Sequence, residues 1–236
     1  MMAIMQYKNV VCSFCKKRIV GKYYIDWVGH TICSSHPLIY CASCGQFCDS
    51  NAVDIGNGEK VCVHCQRNRI EKNDWRTIAG FIKSVYSKTE IGNVANWHLM
   101  MISATELYKK TNDKNTRGLA QAIGSDYTIY VYRELSRVAF AQVLAHEMLH
   151  IFQYNQGYRP DKARCEGFCN LGSYVVLKTI GNKEAQAAMR SLETNKDLVY
   201  GDGFRLMRQV YEKSGWKGTI EELRMSSSFQ SQHMSE

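Results

Sequence analysis

His146 and His150 stand four apart, with Glu147 directly after the first, in the run AQVLAHEMLHIFQYNQG. On an α-helix, residues four apart lie on one face, so the two imidazoles can meet one metal ion. Glu147 sits about 100° round the same helix, within reach of a water activated by that ion. H-E-x-x-H on a helix is the arrangement of a zinc-dependent peptidase, with the glutamate as general base. Five residues alone are a weak signal, since a solvated glutamate between two ordinary histidines gives the same pattern. The next helix supplies a third ligand candidate, Glu166, flanked by Cys165 and Gly167, which are poor choices for a solvent face. His146, His150 and Glu166 would leave one position of a tetrahedral zinc open for water.

A second set of residues also has metal-ligand spacing. Cys12-x2-Cys15 is followed, after 17 residues, by Cys33-x2-His36. Four residues later comes Cys41-x2-Cys44 and, after another 17, Cys62-x2-Cys65. Each unit offers four soft N/S ligands, which suits a closed tetrahedral zinc. His30 is an alternative to His36, although only His36 repeats the spacing of the second unit. Cys48 and His64 are left as non-ligands. The start MMAIMQYKNVVC has no apolar leader, which predicts a cytoplasmic chain in which paired cysteines mean metal rather than disulfide. The expected cofactors are three zinc ions, one catalytic and two structural.

These residues need elements to position them. The cysteine segment has few large apolar residues, so bound metal would supply its folding energy. Residues 66–90 read as one helix, with Trp75, Ile78, Ala79, Ile82, Val85 and Tyr86 as its apolar stripe. Residues 97–110 fit either strand or helix. Gly118–Ile123 and Asp126–Arg133 alternate as strands, with Ile129 and Val131 on one side and Tyr130 and Tyr132 on the other. The cleft edge, where a substrate would add as an extended strand, is expected at Thr128–Arg133. The motif helix spans about Ser136 to Asn155, apolar on both sides and therefore buried, ending at Gly157 and Pro160. A returning helix over Lys162–Thr179 carries Glu166 back under the histidines. Asn170, one turn on, is placed to bond a ligand histidine. Residues 182–193 form an amphipathic helix. Asp202 caps another that ends near Gly215, 219–225 give a last turn, and 226–236 read as a disordered tail.

The predicted fold class is therefore α+β: a zincin-like metallopeptidase domain with a small antiparallel or mixed sheet at 69–225, preceded by a small LIM-like double zinc module at 10–68. At 236 residues and 45% hydrophobic content, a core of this size can be built. No apolar run is long enough to cross a membrane. The net charge is +8, yet no dense Lys/Arg block with interleaved aromatics stands out, so nucleic acid is not an indicated partner. Protein or peptide substrate is.

The chain resembles the LIM-containing peptidases of plants that limit organ growth, the DA-one family. The cysteine layout, Thr116-Arg117-Gly118-Leu119, LAHEMLH, Glu166-Gly167 and the run from Val199 to Arg205 (VYGDGFR) carry the resemblance, over about Cys12 to Arg205. It implies a cytosolic zinc endopeptidase fused to a LIM-like module; in the plant family, activity is promoted by ubiquitin. Tyr200, inside the last motif, becomes the candidate donor to the oxyanion, with Tyr158 and Tyr174 as alternatives. The chain departs from the family in having no helices of the ubiquitin-interacting kind and no separate first LIM domain. Its spacer of four residues between zinc units is longer than the usual two. It reads as a compact stand-alone form, in which ubiquitin dependence has no motif to support it. The competing expectation is a non-enzymatic adaptor whose zinc module binds partners.

Overall fold

The computed structural model describes residues 10–56, 58–71 and 73–233. It divides between Arg67 and Asn68 into two compact units, within a mixed α+β architecture of small sheets.

The first unit is two hairpins and a helical turn. β1 (Tyr23–Ile25) pairs antiparallel with β2 (Thr31–Cys33), β3 (Val53–Gly56) with β4 (Glu59–Val61), and α1 covers Val63–Arg67. Two tight turns, one after Cys12 and one after Cys41, share a geometry: the N–H of Lys16 donates to the Cys12 carbonyl, and that of Gly45 to Cys41. Both donor residues are left-handed, Lys16 at φ 60° and Gly45 at φ 70°. The buried clusters are small and cysteine-rich: Cys12, Ile32 and Phe47 in one, Cys41, Cys48, Val61 and Cys65 in the other. So thin an apolar core leaves bound metal as the natural source of stability.

In the second unit, α2 (Asp74–Tyr86) precedes β5 (His98–Ile102), α3 (Ala104–Thr111), β6 (Gly118–Ile123) and β7 (Asp126–Tyr132). Then come α4 (Arg137–Gln156), α5 (Lys162–Ile180), α6 (Lys183–Thr194) and α7 (Tyr200–His233). The sheet order is β5-β7-β6, with β5 parallel and β6 antiparallel to β7. Ile129 and Val131 are fully buried on β7, and α4 packs against β6, β7 and α5. Local caps start and stop the helices: Ser136, Asp161 and Asn182 accept N-terminal N–H groups, and Gly157 and Gly181 close α4 and α5 in the left-handed region.

Several expectations are corrected. The single helix over 66–90 is broken between α1 and α2. The Ile70 N–H donates to the Leu135 carbonyl and the Arg137 N–H to Asn68, so this backbone pairs across the fold and cannot continue a helix. Residues 97–110 are both strand and helix, with Ser103 and Glu106 forming a capping box between them. Asp202 lies inside the first turn of α7. The cap is Asp197, whose carboxylate accepts from Val199 and Tyr200 at 2.8 Å each. The helical run from Tyr200 does end at Gly215, as expected, since φ 65° and ψ −166° there are not helical, and a second helical stretch follows within α7. Buried Trp216 then re-engages the core against Phe168 and Tyr211. Residues 226–233, expected to be disordered, continue the helix, and the Arg159 N–H donates to Ser227 Oγ at 2.9 Å. Residues 234–236 of that expected tail lie outside the described residues. No described helix is long and apolar enough to cross a membrane.

Candidate metal centres and the cleft beside them

In the first unit, Cys12, Cys15, Cys33 and His36 bring one ligand atom each to within 4.8 Å of one another, and so do Cys41, Cys44, Cys62 and Cys65. Either group could hold a zinc ion. Burial pushes the Cys12 thiol up, but N–H donors from Cys33, Cys15 and Phe14 outweigh it and draw it down to about 6. A ready thiolate is the form a metal requires. His36 rather than His30 completes the first group. Its buried Nε2 has no hydrogen-bond partner, whereas His30 Nδ1 is held by Asp26 Oδ2 at 2.9 Å. Asp26 also accepts from the N–H groups of Val28, His30 and Phe47, so His30 belongs to the hairpin tip. Cys48 is buried beside the second group and outside it, its thiol pushed well up by the hydrogen bond with Cys41 and by burial.

In the second unit, α4 and α5 run together and set three side chains on one point. His146 Nε2 lies 3.1 Å from Glu166 Oε2 and 3.1 Å from His150 Nε2, and His150 Nε2 lies 3.6 Å from Glu166 Oε2. Ligands at ordinary zinc distances on a tetrahedron would stand about 3.3–3.4 Å apart, so the three atoms fit the ion. Cys169 Sγ is also within 4.8 Å of the imidazole atoms. The Glu166 oxygen lies within 3.1–3.6 Å of both ring nitrogens, and Cys169 Sγ already accepts from Gln153 Nε2 at 3.0 Å, so Glu166 is the better third ligand. Burial raises the Glu166 carboxyl, but hydrogen bonds and charge from His146 and His150 hold it well below the usual carboxylate range.

The outer nitrogens of the two rings are also partnered. His146 Nδ1 lies 3.1 Å from Asn170 Oδ1, and Asn170 Nδ2 donates to the Tyr200 carbonyl at 3.1 Å. An acceptor on Nδ1 fixes the proton there and leaves Nε2 free for a metal. His150 Nδ1 faces Cys165 Sγ at 3.8 Å.

Glu147 points out of α4 toward β6. It is only 7% exposed, and burial raises its carboxyl above the ordinary value. A cleft of about 470 Å³ opens at this point, lined among others by Arg117, Gly118, Ala120, Tyr154 and Tyr200 together with the metal-facing side chains. The strand at its edge is β6. The sequence placed the edge at Thr128–Arg133, but β7 has a partner on both sides and offers no free backbone. Strand order is a long-range property that alternation within one strand does not encode.

The motif VYGDGFR acts through packing. A β-carbon on Gly203 would overlap the Ala163 carbonyl, and one on Gly167 would overlap Gly203, so α5 and α7 touch backbone to backbone beside Glu166. That closeness puts Tyr200 at the cleft wall. The alternatives Tyr158 and Tyr174 are elsewhere: Tyr158 packs on Phe152, and the Tyr174 phenol donates to Glu193. Tyr154 was missed by sequence reasoning, although it stands four residues past His150 and so shares that face of α4.

No protein-family model matches the chain, and neither a curated protein nor a solved structure matches it. The functional reading rests on the geometry of the site.

Proposed function

We propose that the second unit is a zinc-dependent endopeptidase of zincin type, and that the first is a LIM-like double zinc module serving for structure or for docking protein partners. The observation that carries this reading is the convergence of His146 Nε2, His150 Nε2 and Glu166 Oε2 within 3.1–3.6 Å, with Glu147 buried beside them at an open strand edge. The motif resemblance to the DA-one family adds to it.

A zinc ion at this site supplies Lewis acidity toward water and a peptide carbonyl. His146, His150 and Glu166 would hold it, and Asn170 keeps the His146 ring in the tautomer that leaves Nε2 free. Glu147 takes the proton of the attacking water and returns it to the leaving nitrogen. Its raised affinity for a proton, caused by burial, suits a group that must both accept and release one. The outer edge of β6, which has no strand partner among the described residues, takes an extended peptide by backbone pairing, which favours a protein or unfolded-peptide substrate over a small molecule.

The test compares wild type with Glu147→Gln on a mixed proteome by mapping new N-termini. Wild type should generate them, and the variant should lose activity by about 10²–10⁴-fold with zinc still bound. Identical products from both would sink the peptidase reading and leave the module as an adaptor.

A further inference from the structure

We propose that Tyr154 is a catalytic residue of this site, parked on the edge strand until a bound peptide releases it to donate a hydrogen bond to the oxygen of the carbonyl under attack. The inference rests on the peptidase reading and goes beyond it in naming the donor and the event that frees it.

Along β6 the backbone alternates between two directions. The Tyr132 N–H donates to the Arg117 carbonyl, so 117, 119 and 121 face β7. Gly118, Ala120 and Ala122 therefore turn their N–H and C=O groups outward. Both outward groups of Ala120 are occupied by side chains of α4. Its N–H donates to the Glu147 carboxylate, and its carbonyl accepts from the Tyr154 hydroxyl at 3.5 Å. The second bond is at the long limit and so is weak.

A peptide that adds to β6 opposite Ala120 forms the same two bonds with its own backbone. Its carbonyl takes the Ala120 N–H from Glu147, and its N–H takes the Ala120 carbonyl from Tyr154. One binding event therefore frees a carboxylate and a phenol together. The phenol is well placed to act. Tyr154 lies one turn beyond His150, its ring parallel to the imidazole within 20° at 6.2 Å between centroids, and it lines the cleft.

In the chemical step, Glu147 takes a proton from water as the water oxygen bonds to the carbonyl carbon. The carbonyl π pair moves onto oxygen, where the Tyr154 O–H donates without giving up its proton. The C–N bond then breaks, and Glu147 delivers its proton to nitrogen. Tyr200 shares the cleft, but its tie to the proposed ligands is the backbone carbonyl that accepts from Asn170.

The test uses the full chain and a peptide taken from a wild-type cleavage site. Tyr154→Phe keeps the ring and removes only the hydroxyl. The expected result is a fall in kcat of about 10²-fold or more, with KM within about threefold of wild type and three zinc ions retained. A phosphinic analogue of the same peptide, which mimics the tetrahedral state, should lose affinity in step with kcat/KM. Tyr174→Phe, away from the cleft, should cleave like wild type. A Tyr154→Phe enzyme with unchanged kcat overturns the proposal, as does a loss confined to Tyr200→Phe. So does a kcat loss that merely tracks lost zinc, because the role would then be structural. If Glu147→Gln is silent while Tyr154→Phe is intact, only this inference fails. If wild type and Glu147→Gln give the same N-termini, the peptidase reading fails and takes this one with it.

Discussion

Gly118 and Glu147 approach so closely that any side chain at 118 would force Glu147 or Val143 to shift. A β-carbon there would lie 2.6 Å from a Glu147 carboxylate oxygen and 2.5 Å from a Val143 methyl. The edge strand thus approaches the proposed general base as closely as a backbone can, because it carries no side chain at that point. Gly118→Ala should therefore displace Glu147 or β6 while leaving the three proposed zinc ligands in place. We expect kcat to fall by about 10²-fold, the scale of a misplacement near 1 Å, with zinc content unchanged. Equal turnover in Gly118→Ala and wild type, measured on the same peptide, would contradict the close approach.

Asn170 links His146 to the start of α7 through two hydrogen bonds of 3.1 Å. Asn170→Ala removes the acceptor on His146 Nδ1 and leaves the ring free to rotate. Affinity at the proposed catalytic site should drop about 10- to 100-fold. The cysteine groups, in the other unit, should be untouched. Competition with a graded series of chelators would resolve the two classes of site, and uniform weakening of all three would argue against the assignment.

Gly203 and Gly167 make the crossing of α5 and α7. Gly203→Ala forces a methyl into the Ala163 carbonyl, a backbone atom that cannot turn aside. The expected cost is about 1–3 kcal/mol, the usual range for overpacking, seen as a lower denaturant midpoint. Gly215→Ala, at an open position, meets no neighbour but is strained by its φ of 65°. Its loss, about 1–3 kcal/mol, would report backbone strain with no crowding. A Gly203→Ala protein as stable as wild type would show that the two helices can separate at no cost.

His36 and His30 should divide on zinc. The buried, unpartnered Nε2 of His36 completes the first cysteine group, whereas His30 is tied to Asp26. His36→Ala should lower bound zinc by one ion per chain relative to wild type, and His30→Ala should leave it unchanged. Elemental analysis of the two proteins decides the matter, and the reverse result would move the ligand to His30. Chelation of wild type should expose residues 10–67 to proteolysis and change far-ultraviolet helicity little, because α2 to α7 all lie past Arg67.

The sequence by itself determined whatever depends on spacing along one element. H-E-x-x-H on a helix fixes which side chains share a face. Repeated 17-residue gaps between cysteine pairs fix which eight residues form two groups. Ser136, Gly157 and Gly181 mark helix ends because capping and left-handed backbone are local needs. Tertiary structure decided the rest. Which strand is the edge depends on pairing between β5, β7 and β6, so alternation in Thr128–Arg133 could not exclude it. The break between α1 and α2 comes from backbone bonds of 68–70 to 135–137, far off in sequence. Asp197 rather than Asp202 caps α7, because its carboxylate accepts from Val199 and Tyr200, and the close crossing of α5 and α7 at Gly167 and Gly203 joins residues far apart in sequence. Tyr154 entered the site only because α4 packs against β6, which brings a phenol on one element to a carbonyl on another.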